Sequence, residues 1–271
     1  MGAEITYGKR AVSGLTQSVA RVTSAPPEEP LLQRFERYFE VIEAHTPELI
    51  EKAHAIRYRV YCEETRFLTA AKNANGLEKD DFDAHSVHAL LMHRKSGQPV
   101  GTVRLVLPLA DAPERSFSIQ TVTEEPVIKN ATAFPLSATA EISRFCIERQ
   151  FRRRATDTLY DQGGNEPTAS ENPAERRSGP LMRLGLMQAI VGMSIRRGMT
   201  HWCAVMEPTL LRMLQAMGIC FTPIGPLVEY HGLRQPCTGD IAQMLDGLKQ
   251  ERPDFWEVIT GGGVFVPGTF K

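Results

Sequence analysis

Glu141-Ile142-Ser143-Arg144-Phe145 is the stretch whose reading decides the fold. It lies within Ala140 to Glu148, where apolar and polar residues intermix with aromatic and branched ones, a pattern that predicts a strand. A strand that sets Glu141, Ser143 and Arg144 among Ile142 and Phe145 is expected to present its polar groups on one face. Three such groups on one face suggest a polar cleft and not routine core. Two upstream pieces add to it: Arg57-x-x-x-Tyr61-x-x-x-x-x-Phe67 and Asp80-Asp81-Phe82-Asp83.

Upstream of this strand, Thr46-Pro47-Glu48-Leu49 reads as a helix start, with Thr46 as N-cap and Pro47 at the first helical position. Leu49, Ile50, Ala53, Ile56, Val60 and Tyr61 recur at helical spacing, and Arg57 and Tyr61 share a side. Residues 37–44 read as a first strand or the end of a short helix. Residues 68–84 read as a loop. His88 to Met92 and Val100 to Leu107 predict two strands of a hairpin, joined by the turn residues Ser96-Gly97-Gln98-Pro99. Residues 110–137 are mixed.

Downstream, Pro180 to Arg197 predicts a long helix with Leu184, Met187 and Val191 on its inner face, capped by Gly198. Trp202 to Met206 predicts a strand, Thr209 to Met217 a helix, Pro226 to Tyr230 a strand, and Ile241 to Gln250 a last helix before a Gly-rich tail. This order implies an α/β fold whose mixed sheet is covered by helices, and it excludes a helical bundle or a β-sandwich.

The 271 residues are 42% hydrophobic and 23% charged, as expected of a soluble globular protein, and the formal net charge of −1 gives no field for nucleic acid. The composition suggests a flexible tail at 1–30 followed by a single domain at 31–271 with a polar insertion near 155–179. Cys62, Cys146, Cys203, Cys220 and Cys237 are scattered, which suggests reduced thiols and a cytoplasmic protein. No basic-then-apolar leader or long apolar run argues for secretion or membrane spanning, although a membrane-surface contact by the tail stays open.

Four motifs in order carry a resemblance: Arg57-x3-Tyr61-x5-Phe67, Asp80-x-Phe82-Asp83, Thr102-Val103-Arg104-Leu105 and Glu141-x-Ser143-Arg144-Phe145. Together they resemble the autoinducer-synthase branch of the GCN5-related N-acyltransferases (GNAT), over residues from about 37 to 230. That branch includes acyl-homoserine lactone synthases and long-chain N-acyl amino acid synthases. Lactone synthases usually have Phe and Trp where this chain has Tyr61 and Phe67. With the extra length, that difference leans toward the N-acyl amino acid synthases, and most toward acyltransferases linked to the PEP-CTERM/exosortase system.

The resemblance implies a GNAT-like, mostly antiparallel sheet flanked by helices. It implies transfer of a fatty acyl group from an acyl carrier protein thioester to an α-amine, with no cofactor beyond the acyl donor. An acyl-homoserine lactone synthase using S-adenosylmethionine, or a non-catalytic acyl- or carrier-binding module, are the alternatives. The Gly-rich acetyl-CoA loop of the superfamily is absent, which favours the carrier protein over coenzyme A as donor.

Amide formation needs a neutral amine, and Glu141 is the candidate base, raised in pKa if its strand is half-buried. Pairing with Arg104 is the structural alternative. Ser143 and Arg104 join it as catalytic candidates. Backbone N–H groups around Cys146 and Ile147 are candidate oxyanion donors. Substrate-binding candidates are Arg57, Tyr61, Phe67, Asp80, Asp83, Arg144, Phe145 and Cys146. Among these, Arg57 and Arg144, like Arg104, could bind an acceptor carboxylate or form an ion-pair network with the acids. Cys146 reads as core and not as nucleophile.

Arg149, Arg152, Arg153, Arg154 and Arg183 are candidates for the phosphopantetheine arm or the carrier surface, against the alternative of a solvated charged face. Leu184, Met187 and Val191 are candidates for the acyl pocket. His85, His88 and His93 do not converge on a strand, so no metal site is expected.

Overall fold

The computed structural model describes residues 29–69, 75–130, 132, 134–152 and 179–270. All but the last two residues of the expected tail, most of the polar insertion, and Arg153 and Arg154 lie outside the described residues, and of Arg152 only the backbone is described. The strands are β1 (Phe39–Glu43), β2 (Ser86–His93), β3 (Gln98–Val106), β4 (Thr139–Ile147), β5 (His201–Met206), β6 (Thr222–Pro223), β7 (Val228–Glu229) and β8 (Leu233–Asp240). The helices are α1 (Leu31–Tyr38), α2 (Pro47–Tyr58), α3 (Ile119–Val122), α4 (Pro126–Lys129), α5 (Arg149–Arg152), α6 (Gly179–Ile195), α7 (Pro208–Ala216), α8 (Ile241–Glu251) and α9 (Pro253–Thr260).

The strands run in the order β1-β2-β3-β4-β5-β8-β6, with β7 paired to β8. Every pairing is antiparallel except β4 with β5. This is the mixed sheet that the order of elements implies, and the mostly antiparallel, helix-flanked one that the family resemblance implies. The α2 start is also as read: Thr46 Oγ1 accepts from the Leu49 amide, and Pro47 opens the helix. Residues 37–44 divide between both readings, α1 ending at Tyr38 and β1 beginning at Phe39.

Alternation sorts the two faces of the sheet. Ala89 and Leu91 of β2, with Val103 and Leu105 of β3, pack in the main core beneath α6. Leu90, between them in sequence, packs instead with Ala53, Ile56 and Val60 of the α2 region. The apolar helix α6 is buried nearly all round, because α9 lies against it as well as the sheet. Its Gly185 permits that approach: a Cβ there would sit 2.6 Å from the Phe35 ring and 2.7 Å from Leu91. Leu184, Met187 and Val191 belong to this core and do not line the cleft described below. No helix among the described residues is long and apolar enough to cross a membrane.

Glu141, Ser143 and Arg144 share the polar side of β4 as expected, but not by simple alternation. Ala140 and Ile142 face α6, but so do Phe145 and Ile147, while Cys146 packs on the α2 side. The phase inverts at Arg144, which has φ of +53° and lies where the β3–β4 register slips. A regular strand would have sent Arg144 to the face opposite Glu141 and Ser143. The bulge brings it back to the polar side.

The structure corrects the sequence reading in three elements. Residues 233–240 form β8, although Pro236, Gly239 and Asp240 are poor strand residues; pairing with β5 over six positions overrides that preference. The expected strand at Pro226 to Tyr230 shrinks to the two residues of β7. Part of the supposed tail is α9, begun by Pro253 and ended by Gly261 in the left-handed conformation.

Candidate functional site

Helix α2 runs directly into a π-helical turn, Arg59–Glu64. Turns of this kind add a residue per turn and often mark functional sites. It places Tyr61 against β4: the hydroxyl donates to the Phe145 carbonyl at 3.4 Å, and the Arg144 guanidinium lies 5.7 Å over the ring. Asp80 and Asp83 open the 3-10 turn Asp81–His85 through a reciprocal capping box, so that part of the expected loop is ordered.

Beneath these pieces lies a closed ion network. Arg57, fully buried, donates to Glu78 and to Asp83, the latter at 2.6 and 3.0 Å. Arg104, also buried, reaches Asp80 at 2.5 Å, Asp83 at 2.9 Å and the Ser143 hydroxyl at 2.9 Å. Arg144 donates to Glu78 at 2.9 Å and Asp80 at 2.8 Å. Three guanidinium groups therefore face three carboxylates. The network reading of Arg57, Arg104 and Arg144 is what the geometry displays. An acceptor carboxylate could reach Arg57 or Arg104 only by displacing a carboxylate already bonded there.

The network controls its own ionisation. Burial would raise the Glu78 carboxyl, but hydrogen bonding from Arg144 and the charge of Arg57 outweigh it and hold the group at about 2. Asp83 is likewise lowered, burial being overcome by Arg57 and Arg104. Behind it stand His54 and His88, both buried, their rings 5.2 Å apart and nearly perpendicular. Burial, helped by the positive field of Arg57, lowers His54 to about 4 and His88 to about 3.

The histidine trio of the sequence reading does not converge. His85 bonds the Ser116 carbonyl and His93 the Ser96 hydroxyl. His54, His88 and Asp83 do place three potential ligand atoms within 4.8 Å of one another. Both Asp83 oxygens, however, already accept from arginine, and two guanidinium charges beside them oppose a divalent cation.

These shifts predict acid lability. In the unfolded chain the histidines titrate near 6.5, and in the folded chain they resist protonation down to about 4 and 3. The unfolded state binds more protons over that window, so stability is full above about 6.5 and falls as pH drops. Glu78 extends the loss from 4.5 toward 2. Thermal melting from pH 7.5 to 4 should show a falling midpoint. His54→Gln with His88→Gln should flatten the upper part of that limb, and an unchanged slope would remove the histidines from the account.

Glu141 sits apart from this network. It is buried and accepts from the Ser118 amide at 2.6 Å and the Ser118 hydroxyl at 2.5 Å; no hydrogen bond joins it to Arg104. Burial raises its carboxyl above the usual range, and the Ser118 hydrogen bonds and the Arg104 charge only partly offset that. Strands β4 and β5 pair from Thr139 to Glu141 and no further, so the sheet opens at this carboxylate. A cleft of about 140 Å³ lies there, lined by Tyr61, Phe67, Ser118, Glu141, Ser143 and Arg144, by Val205 of β5, and by Tyr230, His231 and Arg234 around the β7–β8 turn.

The fold is that of the GCN5-related N-acyltransferases. Residues 56–161 match the family model described as an acetyltransferase (GNAT) domain. Three solved structures support the same fold. TofI, in a ternary complex with an inhibitor and MTA, is 22% identical with a TM-score of 0.52, covering 78% of this chain and 96% of its own. The CoA-dependent acyl-homoserine lactone synthase BjaI, with SAM and isopentyl-CoA, is 21% identical with a TM-score of 0.51, covering 79% and 88%. The CoA-dependent acyl-homoserine lactone synthase MesI is 18% identical with a TM-score of 0.50, covering 83% and 95%. No curated protein sequence matches the chain.

The remaining predicted residues are dispersed. Phe67 is exposed at the cleft mouth. Phe145 packs its ring on the main core, and Cys146 is buried beneath the α2 region, so neither side chain lines the cleft. The Arg149 amide at the start of α5 is capped by the Glu64 carboxylate at 2.9 and 3.1 Å, which already fills that helix end. Arg183 is half-buried on α6. Sequence reasoning missed Glu78, Ser118, His54 and the β7–β8 turn. Glu78 stood in a visible acid cluster, but Ser118 lies in a mixed segment with no local signal.

Proposed function

We propose that the chain is an N-acyltransferase that moves a long-chain fatty acyl group from an acyl carrier protein thioester to the α-amine of an amino acid, giving an N-acyl amino acid. The observation that carries this reading is the buried, pKa-raised Glu141 at the point where β4 leaves β5, open to the cleft. Glu141 takes a proton from the incoming ammonium, directly or through water. The freed amine attacks the thioester carbonyl; a C–N bond forms, the C–S bond breaks, and the thiolate leaves with a proton. Backbone N–H groups of β4 beyond the last β5 pairing stabilise the oxyanion. Ser143, Arg104 and the ion network hold β4 in place, and Tyr61 and Phe67 wall the substrates.

The second reading, an acyl-homoserine lactone synthase, is favoured by the descriptions of BjaI and MesI. The deciding experiment supplies the purified full chain with palmitoyl-acyl carrier protein or palmitoyl-CoA, and with either an amino-acid pool or S-adenosylmethionine. Mass spectrometry of N-acyl amino acids formed from the carrier-protein donor is the expected result. Acyl-homoserine lactone as the sole product supports the second reading. Stable acyl binding without any amide product makes the chain a binding module.

A further inference from the structure

An amino-acid acceptor brings a carboxylate as well as an amine, and resting on the acyl-transfer reading we infer that Arg234 is the group that anchors it. The three arginines of the network are committed to Glu78, Asp80 and Asp83. Arg234 stands outside that set. It lines the same cleft as Glu141, and its guanidinium lies 5.4 Å over the Phe67 ring.

Its own contacts fix it without saturating it. Nη1 donates to the Leu233 carbonyl at 3.1 Å and lies 3.4 Å from Glu207. Among the described residues, neither Nε nor Nη2 donates a hydrogen bond. Those two groups form the planar fork that binds a carboxylate through two parallel bonds. The Arg234 side chain is only 14% exposed, so the contact would be partly desolvated and stronger than one at the open surface. His231, held at φ of +52° in the adjacent turn, faces the same cleft and can add a donor.

The assignment gives Arg234 a role in selecting substrate. It favours acceptors with a carboxylate over plain amines or carboxamides. It does not separate amino acids from S-adenosylmethionine, which carries the same group.

The test compares an amino acid with its own carboxamide, for example leucine with leucinamide, as acceptors for palmitoyl-acyl carrier protein. The wild-type chain should prefer the acid. Arg234→Ala should raise KM for the acid by about ten- to a hundredfold, the worth of a charge-assisted fork, with kcat largely kept and a much smaller change for the carboxamide, which lacks the charge. Arg234→Lys should restore part of the loss. Equal use of acid and carboxamide by the wild type, or equal losses for both in the variant, overturns the anchor. Thermal melting with millimolar leucine or leucinamide reads the same contact without turnover. Stabilisation by the acid alone, abolished in Arg234→Ala, supports the anchor even if no amide is made, in which case the acyl-transfer reading falls by itself. Equal stabilisation by both ligands, or none by either, overturns the anchor.

Discussion

Glu141→Gln is expected to leave the fold intact and to lower acyl transfer by a factor of about 10² to 10⁴, the usual contribution of a general base. The fold should survive because the amide can satisfy the same neighbours. Its carbonyl accepts from the Ser118 amide, and its NH₂ donates to the Ser118 hydroxyl once that hydroxyl turns. What is lost is the ability to hold a proton. In the wild type, kcat/KM should rise with pH as the Glu141 carboxyl, lifted by burial, ionises. The variant should lack that limb. Turnover near the wild-type value at neutral pH, with melting unchanged, would end the base assignment.

Arg57→Met should be the most damaging single change to stability. It fits a similar volume but leaves three carboxylates with two guanidinium partners, in a place where Arg57 is wholly screened from water. Removing one member of a buried ion pair typically costs about 3–5 kcal/mol, because the remaining charge has no solvent. For a chain of this size that corresponds to a melting point lower by roughly 10 °C. Adding Glu78→Gln to Arg57→Met should recover part of the loss, since Glu78 is the acid that Arg57 and Arg144 share. A single variant that melts within a degree or two of the wild type would mean that the network contributes little.

The sequence was legible at several points where a local rule governed, though not at α9, whose Pro253 and Gly261 caps were read as tail. The start of α2 followed from Thr46 and Pro47, the β2–β3 hairpin from its turn chemistry, and α6 from its apolar length. The order of Arg57, Asp80, Arg104 and Glu141 was readable as a polar constellation because residues of that kind are rarely buried without partners. Their pairing was not. Which acid meets which arginine depends on contacts between residues 21 to 66 positions apart, and Glu78 completes the set only in three dimensions.

Two further matters belonged to the tertiary structure alone. A strand read by strict alternation sends Arg144 to the wrong face. The inserted residue at the bulge reverses that phase, and no single residue type announces it. The cleft beside Glu141 likewise exists because β4 and β5 part after three paired positions, with the β7–β8 turn closing its edge. The sequence by itself determined α2, α6, α7 and α8, the hairpin and the inventory of charged groups, because caps, turns and periodicity act over a few residues. The pairing of those charges, the depth of Glu141 and the exposure of Arg234 were decided by packing between distant segments, where desolvation sets both affinity and pKa.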